Sequence, residues 1–459
     1  MPGGGGLLQL VAMGKQDVFL TGNPQITWFK MVYRRYTNFA MESQQIYFDG
    51  DPDFGKRVTA VVARRGDLIG PMMLEIVLPY ITMSDGSKGS YINTAGYGLI
   101  EEIALEIGEQ EIDKQTGEWM QIWSTLTTTA SQRDALSNMI GRVDGLNIPS
   151  ASVESGTCSV GNYTYGATKL YVPLQFWFNK NPGLYLPLLA MQYHVIRINV
   201  KLRDLASMID KSTLTTACGT VQPLPAKIVQ FRMWGDYIYL DTEERRRFVA
   251  NTHEYLIEQI QYTPRTTIPA GINTQTVRME FNHPLREIIW VLRRDVMENT
   301  NEWFNFGSTS SHEAGLSRDM LQDAVLQVDG YDRFDIRDAG YFRLVQPFQF
   351  HTTTDVKQFI YLYSFALRPE EMQPSGSLNA SRIDNMNLIV NLRPDSNEQQ
   401  TLSYDGAGNP VPNGSASAIR TITNPAYVPN RGRSTVIVYA KNHNVLRVVN
   451  GFAGLLFKI

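Results

Sequence analysis

Three closely spaced pairs of glutamates are the residues of this sequence whose chemistry could support catalysis. Two carboxylates that flank a glycosidic bond can act as acid and base, provided that the fold fixes their separation. Neighbouring residues of a strand point to opposite faces of the sheet, so adjacent carboxylates rarely converge. We therefore expect solubilising charges at strand ends and turns, and a glycosidase stays as an alternative. The pairs are Glu101 with Glu102, Glu109 with Glu111, and Glu370 with Glu371.

The histidines lack the spacing of a metal site or a nucleophile's base. No two of them lie three to five residues apart, whereas zinc ligands usually do. The sequence also has no Gly-x-Ser-x-Gly nucleophile elbow and no phosphate-binding glycine loop. We expect each histidine to form hydrogen bonds or caps, and we predict no metal, no cofactor and no enzymatic activity. The histidines are His194, His253, His283, His312, His351 and His443.

Both cysteines, Cys158 and Cys218, lie in polar stretches. A secreted protein held together by disulfides would contain more cysteines, so we expect two free thiols in a reducing compartment. The first ten residues have glycines where a signal peptide has positive charge. No stretch approaches the roughly 18 apolar residues that a membrane helix requires. These features predict a protein that is made and kept on the cytosolic side of membranes.

The charge pattern gives no reason to expect direct binding of nucleic acid. The formal net charge is -3, whereas nucleic-acid-binding domains usually carry a basic patch. The basic clusters are Arg34-Arg35 and residues 245–247, and acidic residues adjoin the second cluster at Glu243 and Glu244. Short runs of mixed sign are usually solvated, so we expect a solvated or subunit-contact face there.

Short strand-like segments must position these residues, because helical periodicity is scarce along the chain. The clearest segment is 195–202, in which Arg197, Asn199 and Lys201 alternate with apolar residues. A period of two indicates a strand with one buried face and one wet face. Aromatic residues make up 11% of the chain, which suits packed sheets. The pattern predicts an all-β protein of sandwiches or barrels.

Long polar stretches interrupt these strands. Loops of such length are rare in compact domains unless they have a function, so we expect them to gather at one end of the sandwiches. Residues 132–140 are predicted to form two helical turns within the first stretch. The polar stretches are 127–168, 204–227, 299–320 and 394–433.

An internal repeat organises the strand-like segments. Four motifs of the first half recur in the same order in the second half with unequal spacing, which predicts two similar β domains in tandem. After the first motif, each copy soon reaches an aromatic residue, Trp119 in one and Tyr341 and Phe342 in the other. The matched segments are 105–113 with 326–335, 171–178 with 361–367, 195–202 with 387–392, and 237–240 with 435–439.

We expect the two domains to join near residues 241–252. Asp241 or Thr242 is suited to cap the N-terminus of a helix that has carboxylates in its first turn. A new strand is predicted from His253 onwards.

Long motifs along both halves resemble a known protein family. Examples are GNPQITWF at 22–29 and WGDYIYLDTEER at 234–245. They resemble the major capsid proteins of nucleocytoplasmic large DNA viruses, in particular viruses of algae and amoebae. The loops at 127–168 and 394–433 match no pattern of that family. The further motifs are 16–21, 32–39, 181–184, 188–194, 253–258, 281–284, 373–376, 381–385 and 439–446.

The resemblance implies an all-β fold of two tandem eight-stranded antiparallel jelly-roll sandwiches with long loop insertions. We place an N-terminal arm at 1–29, the first jelly roll at 30–245 and the second at 246–459. The implied function is structural: homotrimers with a pseudo-hexagonal outline tile an icosahedral shell above an inner membrane. A lectin-like binding role is the alternative, since jelly rolls also occur in lectins.

The resemblance also implies partners and a compartment. The expected partners are further copies of the chain, minor capsid and penton proteins, and the inner membrane through minor proteins. The expected location is the virion shell, assembled in the host cytoplasm.

Two sets of residues are candidates for contacts in the particle. The N-terminal arm is unlikely to fold alone, and we expect it on the inner face of the shell. Loops 127–168 and 394–433 are expected to point outward, towards the host surface. The inner-face or assembly candidates are Asp17, Asn23, Pro24, Trp28, Arg34 and Arg35. The outer-loop candidates are Cys158, Asn162 and Asn413.

Overall fold

The chain divides into two compact units, Met1–Phe39 and Ala40–Ile459. The structure is a computed structural model. It describes residues 6, 14–82, 88–89, 91–142, 169–210, 215–216, 219–220, 223–309, 317–354, 357–393, 400–404, 410–411, 418–422 and 432–457.

The described part of the first unit is a short helix followed by extended chain. Helix α1 (Lys15–Thr21) begins after Gly14, whose backbone N–H donates to the Asp17 carboxylate over 3.0 Å. Every residue from 14 to 39 is exposed, including the large apolar side chains of Phe19 and Trp28.

Two antiparallel sheets make up the first half of the second unit. One has the strand order β1-β13-β4-β9 and the other has the order β2-β3-β10-β7-β8. Two short hairpins, β5–β6 and β11–β12, accompany them. The strands are β1 (Phe39–Ile46), β2 (Phe48–Asp49), β3 (Arg57–Val61), β4 (Leu68–Val77), β5 (Ile81–Thr82), β6 (Lys88–Gly89), β7 (Ile100–Ile107), β8 (Gln110–Thr116), β9 (Lys169–Pro173), β10 (Ile196–Leu202), β11 (Thr215–Thr216), β12 (Gly219–Thr220) and β13 (Gln230–Leu240).

The second half repeats this arrangement. Its larger sheet has the order β14-β27-β17-β21, with β15, β22 and β28 as short additions, and its second sheet has the order β16-β23-β18-β19 with β20 beside β18. The strands are β14 (His253–Tyr262), β15 (Thr266–Ile268), β16 (Thr274–Met279), β17 (Pro284–Arg294), β18 (Leu321–Val328), β19 (Tyr331–Asp332), β20 (Arg337–Asp338), β21 (Tyr361–Ser364), β22 (Leu378–Asn379), β23 (Met386–Leu392), β24 (Gln400–Tyr404), β25 (Pro410–Val411), β26 (Ala418–Ile422), β27 (Ser434–Val449) and β28 (Phe452–Leu455).

The strand orders of the two halves correspond one to one. In chain order, β1, β4, β9 and β13 hold the same places as β14, β17, β21 and β27, and β3, β7, β8 and β10 match β16, β18, β19 and β23. The four sequence motifs of the repeat fall on these equivalent strands. The predicted tandem of two jelly-roll sandwiches is therefore confirmed, and short extra strands such as β15, β22 and β28 pair with strands of these sheets.

Each sandwich has an apolar core, and the first core extends to Ile257, Leu446 and Val448 of the second half. The first core includes Leu74 and Met233, and the second includes Trp290 and Val438. The alternation predicted for 195–202 is confirmed, because the residues of β10 are buried at every second position. Alternation of this kind places one face of each strand in the core.

The helices of the second unit lie in the connections between strands. The linker helix α6 starts after Asp241, whose side chain accepts the N–H of Thr242 over 2.7 Å, as predicted. The helices are α2 (Ala95–Leu99), α3 (Gly117–Thr127), α4 (Ala130–Ile140), α5 (Trp177–Lys180), α6 (Thr242–Ala250), α7 (Asp295–Asn299) and α8 (Gln346–Phe350). A π-helix spans Tyr341–Val345, and 3-10 turns span Pro182–Leu184, Leu188–Ala190, Leu205–Met208 and Ala380–Arg382.

Helix α3 is one of several helices that the sequence did not predict. Its residues from Gly117 to Leu126 are all buried, so its polar residues Glu118, Gln121, Ser124 and Thr125 are covered as well as its apolar ones. The helix predicted at 132–140 is confirmed within α4.

The predicted loop at 394–433 contains regular structure. Strands β24, β25 and β26 form a three-stranded antiparallel sheet there, which the sequence did not predict. The short strands are interrupted by segments rich in Gly, Pro and Asn, which concealed them in the sequence.

Candidate assembly site

Helix α3 of the first jelly roll packs onto the second one. It follows β8 directly, and its N-cap Thr116 accepts the N–H of Trp119 over 3.2 Å. Its apolar stripe, defined as Trp119, Ile122, Trp123 and Leu126, shares one buried cluster with the outer face of the sheet β14-β27-β17-β21. The residues of that face are Ile289, Val291, Leu362, Ile437 and Tyr439.

Three arginines surround one buried carboxylate at this junction. The Glu118 Oε1 atom lies 2.7 Å from Arg265, 3.0 Å from Arg293 and 3.7 Å from Arg203. Burial alone would raise the pKa of the Glu118 carboxyl, but the positive charges of the three arginines lower its pKa to about 2. Glu118 and Arg203 belong to the first half, and Arg265 and Arg293 to the second, so this cluster joins the two jelly rolls.

A second buried cluster surrounds Glu258. Its carboxylate lies 3.1 Å from Lys441 and 3.3 Å from Lys180, and it also accepts a hydrogen bond from Arg286. Burial would raise the pKa of Glu258, but these cations lower it to about 2. Burial lowers the pKa of Lys441 to about 7, assisted by the neighbouring cations. The Lys441 ammonium lies 3.8 Å from the centre of the Trp123 ring.

His351 lies buried between two glutamates. Its Nε2 atom is 2.8 Å from Glu287, and its Nδ1 atom is 2.9 Å from Glu370. Burial would lower the pKa of the His351 ring, but the two carboxylates raise it to about 9. The ring therefore donates from both nitrogens as an imidazolium. Glu370 was expected to be a solubilising charge; this was wrong, because it is engaged with His351 and Thr352.

The other described histidines differ in their contacts: the buried Nε2 atom of His283 has no hydrogen-bond partner among the described residues, and His312 lies outside them. His194 accepts the N–H of Ala453 over 3.1 Å, and His253 lies 2.7 Å from the carbonyl oxygen of Phe248, so the predicted hydrogen-bonding role is confirmed for both. For His443 it was wrong, because neither ring nitrogen has a partner among the described residues. Burial lowers the pKa of His443 to about 4. No group of three or more His, Cys, Asp or Glu side chains is arranged to hold a metal ion in the described part of the chain.

Glu101 and Glu102 form ion pairs near the surface, and Glu109 and Glu111 are exposed. Glu101 bonds to Lys201 over 2.7 Å, and Glu102 lies 3.1 Å from both Arg57 and Lys114. Glu109 lies in the turn between β7 and β8. These glutamates follow the expectation from the sequence.

A cavity of about 540 Å³ opens beside α3 and α4. Trp123, Gln175, Lys180 and Glu370 are among its lining residues, which are the residue types of a sugar-binding site. However, Trp123 stacks on Trp119 at 5.6 Å and is also covered by the ammonium groups of Lys180 and Lys441. The ring is therefore occupied by intramolecular contacts, which favours a structural role over a lectin-like one.

The residues predicted for the particle's two surfaces lie in different parts of the chain. Asp17, Asn23, Pro24, Trp28, Arg34 and Arg35 are all exposed, and Trp28 is 94% exposed. Of this set, Asp17 also accepts the N–H of Gly14. The outer-loop candidates Cys158, Asn162 and Asn413 lie outside the described residues, as does Cys218.

The second basic cluster is mixed with acidic partners, as predicted. Arg245 pairs with Asp67 over 2.8 Å, and Arg246 pairs with Glu243 over 3.2 Å on the surface of α6. No helix among the described residues has the length and apolar character needed to cross a membrane.

Two jelly rolls joined by a buried apolar and charged junction define a structural class that includes viral capsid subunits. Comparison with known proteins identifies the family. A model of the N-terminal part of major capsid proteins matches residues 27–241, and a model of the major capsid protein of large eukaryotic DNA viruses matches residues 244–454. The chain belongs to this family of major capsid proteins and is a component of the capsid shell.

Individual members of the family are similar to this chain in sequence over nearly its whole length. The chain is 38% identical to the major capsid protein of Pyramimonas orientalis virus and 36% identical to that of Paramecium bursaria Chlorella virus 1, each over 99% of both chains. It also matches a chain of the quasi-atomic model of the PBCV-1 virus capsid at a TM-score of 0.74 and 31% identity. That match covers 94% of this chain and 100% of the other.

Proposed function

We propose that this chain forms homotrimeric capsomers with a pseudo-hexagonal outline, which tile the icosahedral shell of a large double-stranded DNA virus. The observation that carries the proposal is the identical strand order of the two jelly rolls within one chain. Three chains with two similar domains each provide six similar walls, which suits a hexagonal lattice. The chain's role is that of a structural protein without enzymatic activity.

The proposed domain organisation follows the sequence. An arm at 1–29 precedes a first jelly roll at 30–245 and a second at 246–459. The two family models meet between residues 241 and 244, which supports the join. Strand pairing that stays within residues 39–240 and within 253–455 among the described residues also supports it.

The proposed partners are arranged by face. The arm, with Asp17, Asn23, Pro24, Trp28, Arg34 and Arg35, contacts minor capsid or penton proteins on the inner face, and through them the inner membrane. The loops that hold Cys158, Asn162 and Asn413 face the host. The chain binds no nucleic acid directly and assembles in the host cytoplasm. The exposure of the large apolar side chains of the arm supports the first of these placements, since such groups usually mark a binding surface.

Sedimentation of the purified chain tests the trimer. The expected species has three times the mass of the 51.9 kDa chain. A monomer that persists at high protein concentration would contradict the proposal.

A further inference from the structure

The apolar stripe of α3 has a counterpart in the second jelly roll. In the first roll the stripe has the spacing i, i+3, i+4, i+7, from Trp119 to Leu126. The same spacing recurs in the second roll, within the π-helix Tyr341–Val345 and helix α8 that follows it directly. In an α-helix, residues at this spacing lie on one face; here Leu344, Val345 and Phe348 share exposure to solvent, and Tyr341 packs against the core of the second roll. We name these residues, Tyr341, Leu344, Val345 and Phe348, the second stripe.

The two stripes occupy equivalent places in their folds. Helix α3 starts directly after β8 and precedes β9, and the π-helix starts soon after β20 and precedes β21. Strand β19 holds the place of β8, β20 pairs with β18 just as β8 pairs with β7, and β21 holds the place of β9. The sequence repeat already aligned the aromatic residues that open these segments, Trp119 with Tyr341.

The environments of the two stripes differ. Trp119 is 1% exposed because the second jelly roll covers it, whereas Leu344, Val345 and Phe348 are 37%, 41% and 82% exposed. A solvent-exposed phenylalanine beside two exposed aliphatic side chains forms an apolar surface that normally marks an interaction site.

The face that receives the first stripe also has a counterpart. In each roll a register shift interrupts the pairing of the two central strands, near Gly235 in the first and near Leu285 in the second. Next to each register shift is a first pair of facing apolar residues whose side chains lie on the outer face of the sheet. This cross-strand pair is Met73–Trp234 in the first roll and Ile289–Tyr439 in the second.

These two outward pairs also differ in burial. Ile289 and Tyr439 are buried under α3, while Met73 and Trp234 are only partly buried. The Trp234 indole N–H donates to Glu75 over 2.6 Å, which holds the ring on the outer face of the sheet. The first roll therefore presents an outer face that is less covered around Met73 and Trp234 than its equivalent in the second roll.

We propose that the second stripe of one copy docks on the outer face of the sheet β1-β13-β4-β9 of a neighbouring copy, around Met73 and Trp234. The inference rests on the proposed trimer and assigns its contact surface. The contact between chains then repeats the contact within each chain, with Leu344, Val345 and Phe348 in the places of Ile122, Trp123 and Leu126.

This geometry accounts for closure at three copies. Within the described residues, each chain offers the exposed second stripe and the partly covered face, and the two are different surfaces, so the contact is heterologous. Going around the trimer, a contact between the two rolls of one chain is followed by a contact between neighbouring chains. Three chains of two rolls therefore give six nearly equivalent contacts between rolls. Neither surface is left uncovered in the closed ring.

Substitution of the stripe tests the proposal by sedimentation. Phe348→Asp places a charge where the partner's sheet would cover it, and we expect association at least about 30-fold weaker, as for loss of a central interface anchor. The matched control is Val249→Asp, which changes an exposed apolar residue of α6 and should leave the trimer intact. Circular dichroism checks that both variants fold.

Cross-linking tests the same contact without weakening it. Leu344→Cys is combined with Met73→Cys in a chain that carries Cys158→Ser and Cys218→Ser, and a short bismaleimide is added. We expect covalent dimers and trimers, and no such products when Val249→Cys replaces Leu344→Cys. If Phe348→Asp fails to fold, the cross-link still tests whether the second stripe contacts the face around Met73.

The outcomes separate the docking surface from the trimer itself. A wild-type trimer that survives Phe348→Asp and gives no cross-link overturns this docking surface and leaves the trimer standing. A wild-type chain that is monomeric at every concentration overturns both.

Discussion

The indole ring of Trp119 lies 5.5 Å from the phenol ring of Tyr439, and the two residues come from different jelly rolls. Tyr439 also donates its hydroxyl to Glu118, the neighbour of Trp119, over 3.3 Å. One helix of the first roll thus supplies both an apolar and a charged contact to the same strand of the second. The two rolls behave as one unit because this junction is buried.

Truncation of Trp119 should separate the two rolls. Replacing a buried tryptophan by alanine usually lowers the free energy of unfolding by about 3–5 kcal/mol, and here the loss falls on the junction. We expect Trp119→Ala to unfold in two thermal transitions where the wild type has one, as measured by calorimetry. Trp28→Ala is the control, since that side chain is exposed and its removal should change stability by no more than about 0.5 kcal/mol.

Neutralising Glu118 should also weaken the junction. Glu118→Gln leaves three arginines without their shared carboxylate, and breaking a buried ion pair typically costs about 3–5 kcal/mol. Glu101→Gln removes one partner of a more exposed pair and should change stability by no more than about 1 kcal/mol. Urea unfolding of the two variants measures the contrast, and equal losses would contradict the central role of Glu118.

The lowered pKa of Glu118 also predicts that the free energy of unfolding depends on pH. The pKa of Glu118 is about 2 in the folded chain against an ordinary value of 4.5, so the unfolded chain binds more protons between these values. The ionised Glu118 carboxylate stabilises the folded chain fully above pH 4.5, and this contribution to the free energy of unfolding is lost as the pH falls towards 2. The wild type should therefore lose its advantage over Glu118→Gln in that window.

The raised pKa of His351 predicts that the contribution of this residue to the free energy of unfolding falls as the pH rises into the alkaline range. Its folded pKa of about 9 exceeds the ordinary value of 6.5, so its stabilisation is complete below pH 6.5 and is lost as the pH rises through 9. Lys441 acts in the reverse direction, because its pKa is lowered to about 7. The measure is therefore the difference in unfolding free energy between the wild type and His351→Gln. That difference should shrink between pH 6.5 and 9, and a constant difference would show that His351 is not charged.

The sequence predicted the tandem architecture but not the junction. Period-two alternation, as in β10, and the repeat of motifs depend on local order, and both survive in the fold. Helix α3 was not predicted, and nothing in its sequence indicated that its polar residues, such as Gln121 and Ser124, would be buried together with its apolar stripe. The contacts of Glu118 with Arg293, and of His351 with Glu287, join distant segments whose pairing no local pattern records.

The exposure of the arm predicts that protease cleaves it in free capsomers but not in whole particles. Residues 14–39 are exposed throughout their described length, so burial does not protect their backbone from protease. Protease should remove the arm from free trimers and spare it in whole particles, where neighbouring proteins would cover it. Mass spectrometry of the digests locates the cuts, and equal cleavage in both samples would contradict an inner-face position.

The polar loops should be accessible from outside the particle. An end of the sandwich that faces water tolerates long insertions, since each doubling of a loop adds only about 0.6 kcal/mol of entropic cost. A bulky, membrane-impermeant maleimide should therefore label Cys158 in intact particles that carry Cys218→Ser, and the shell should stay intact. The matched control carries Cys158→Ser and Trp28→Cys as well, and it should react only after the particles are disrupted. Protection of Cys158 in intact particles together with labelling at position 28 would mean that the loops point inward and the arm outward.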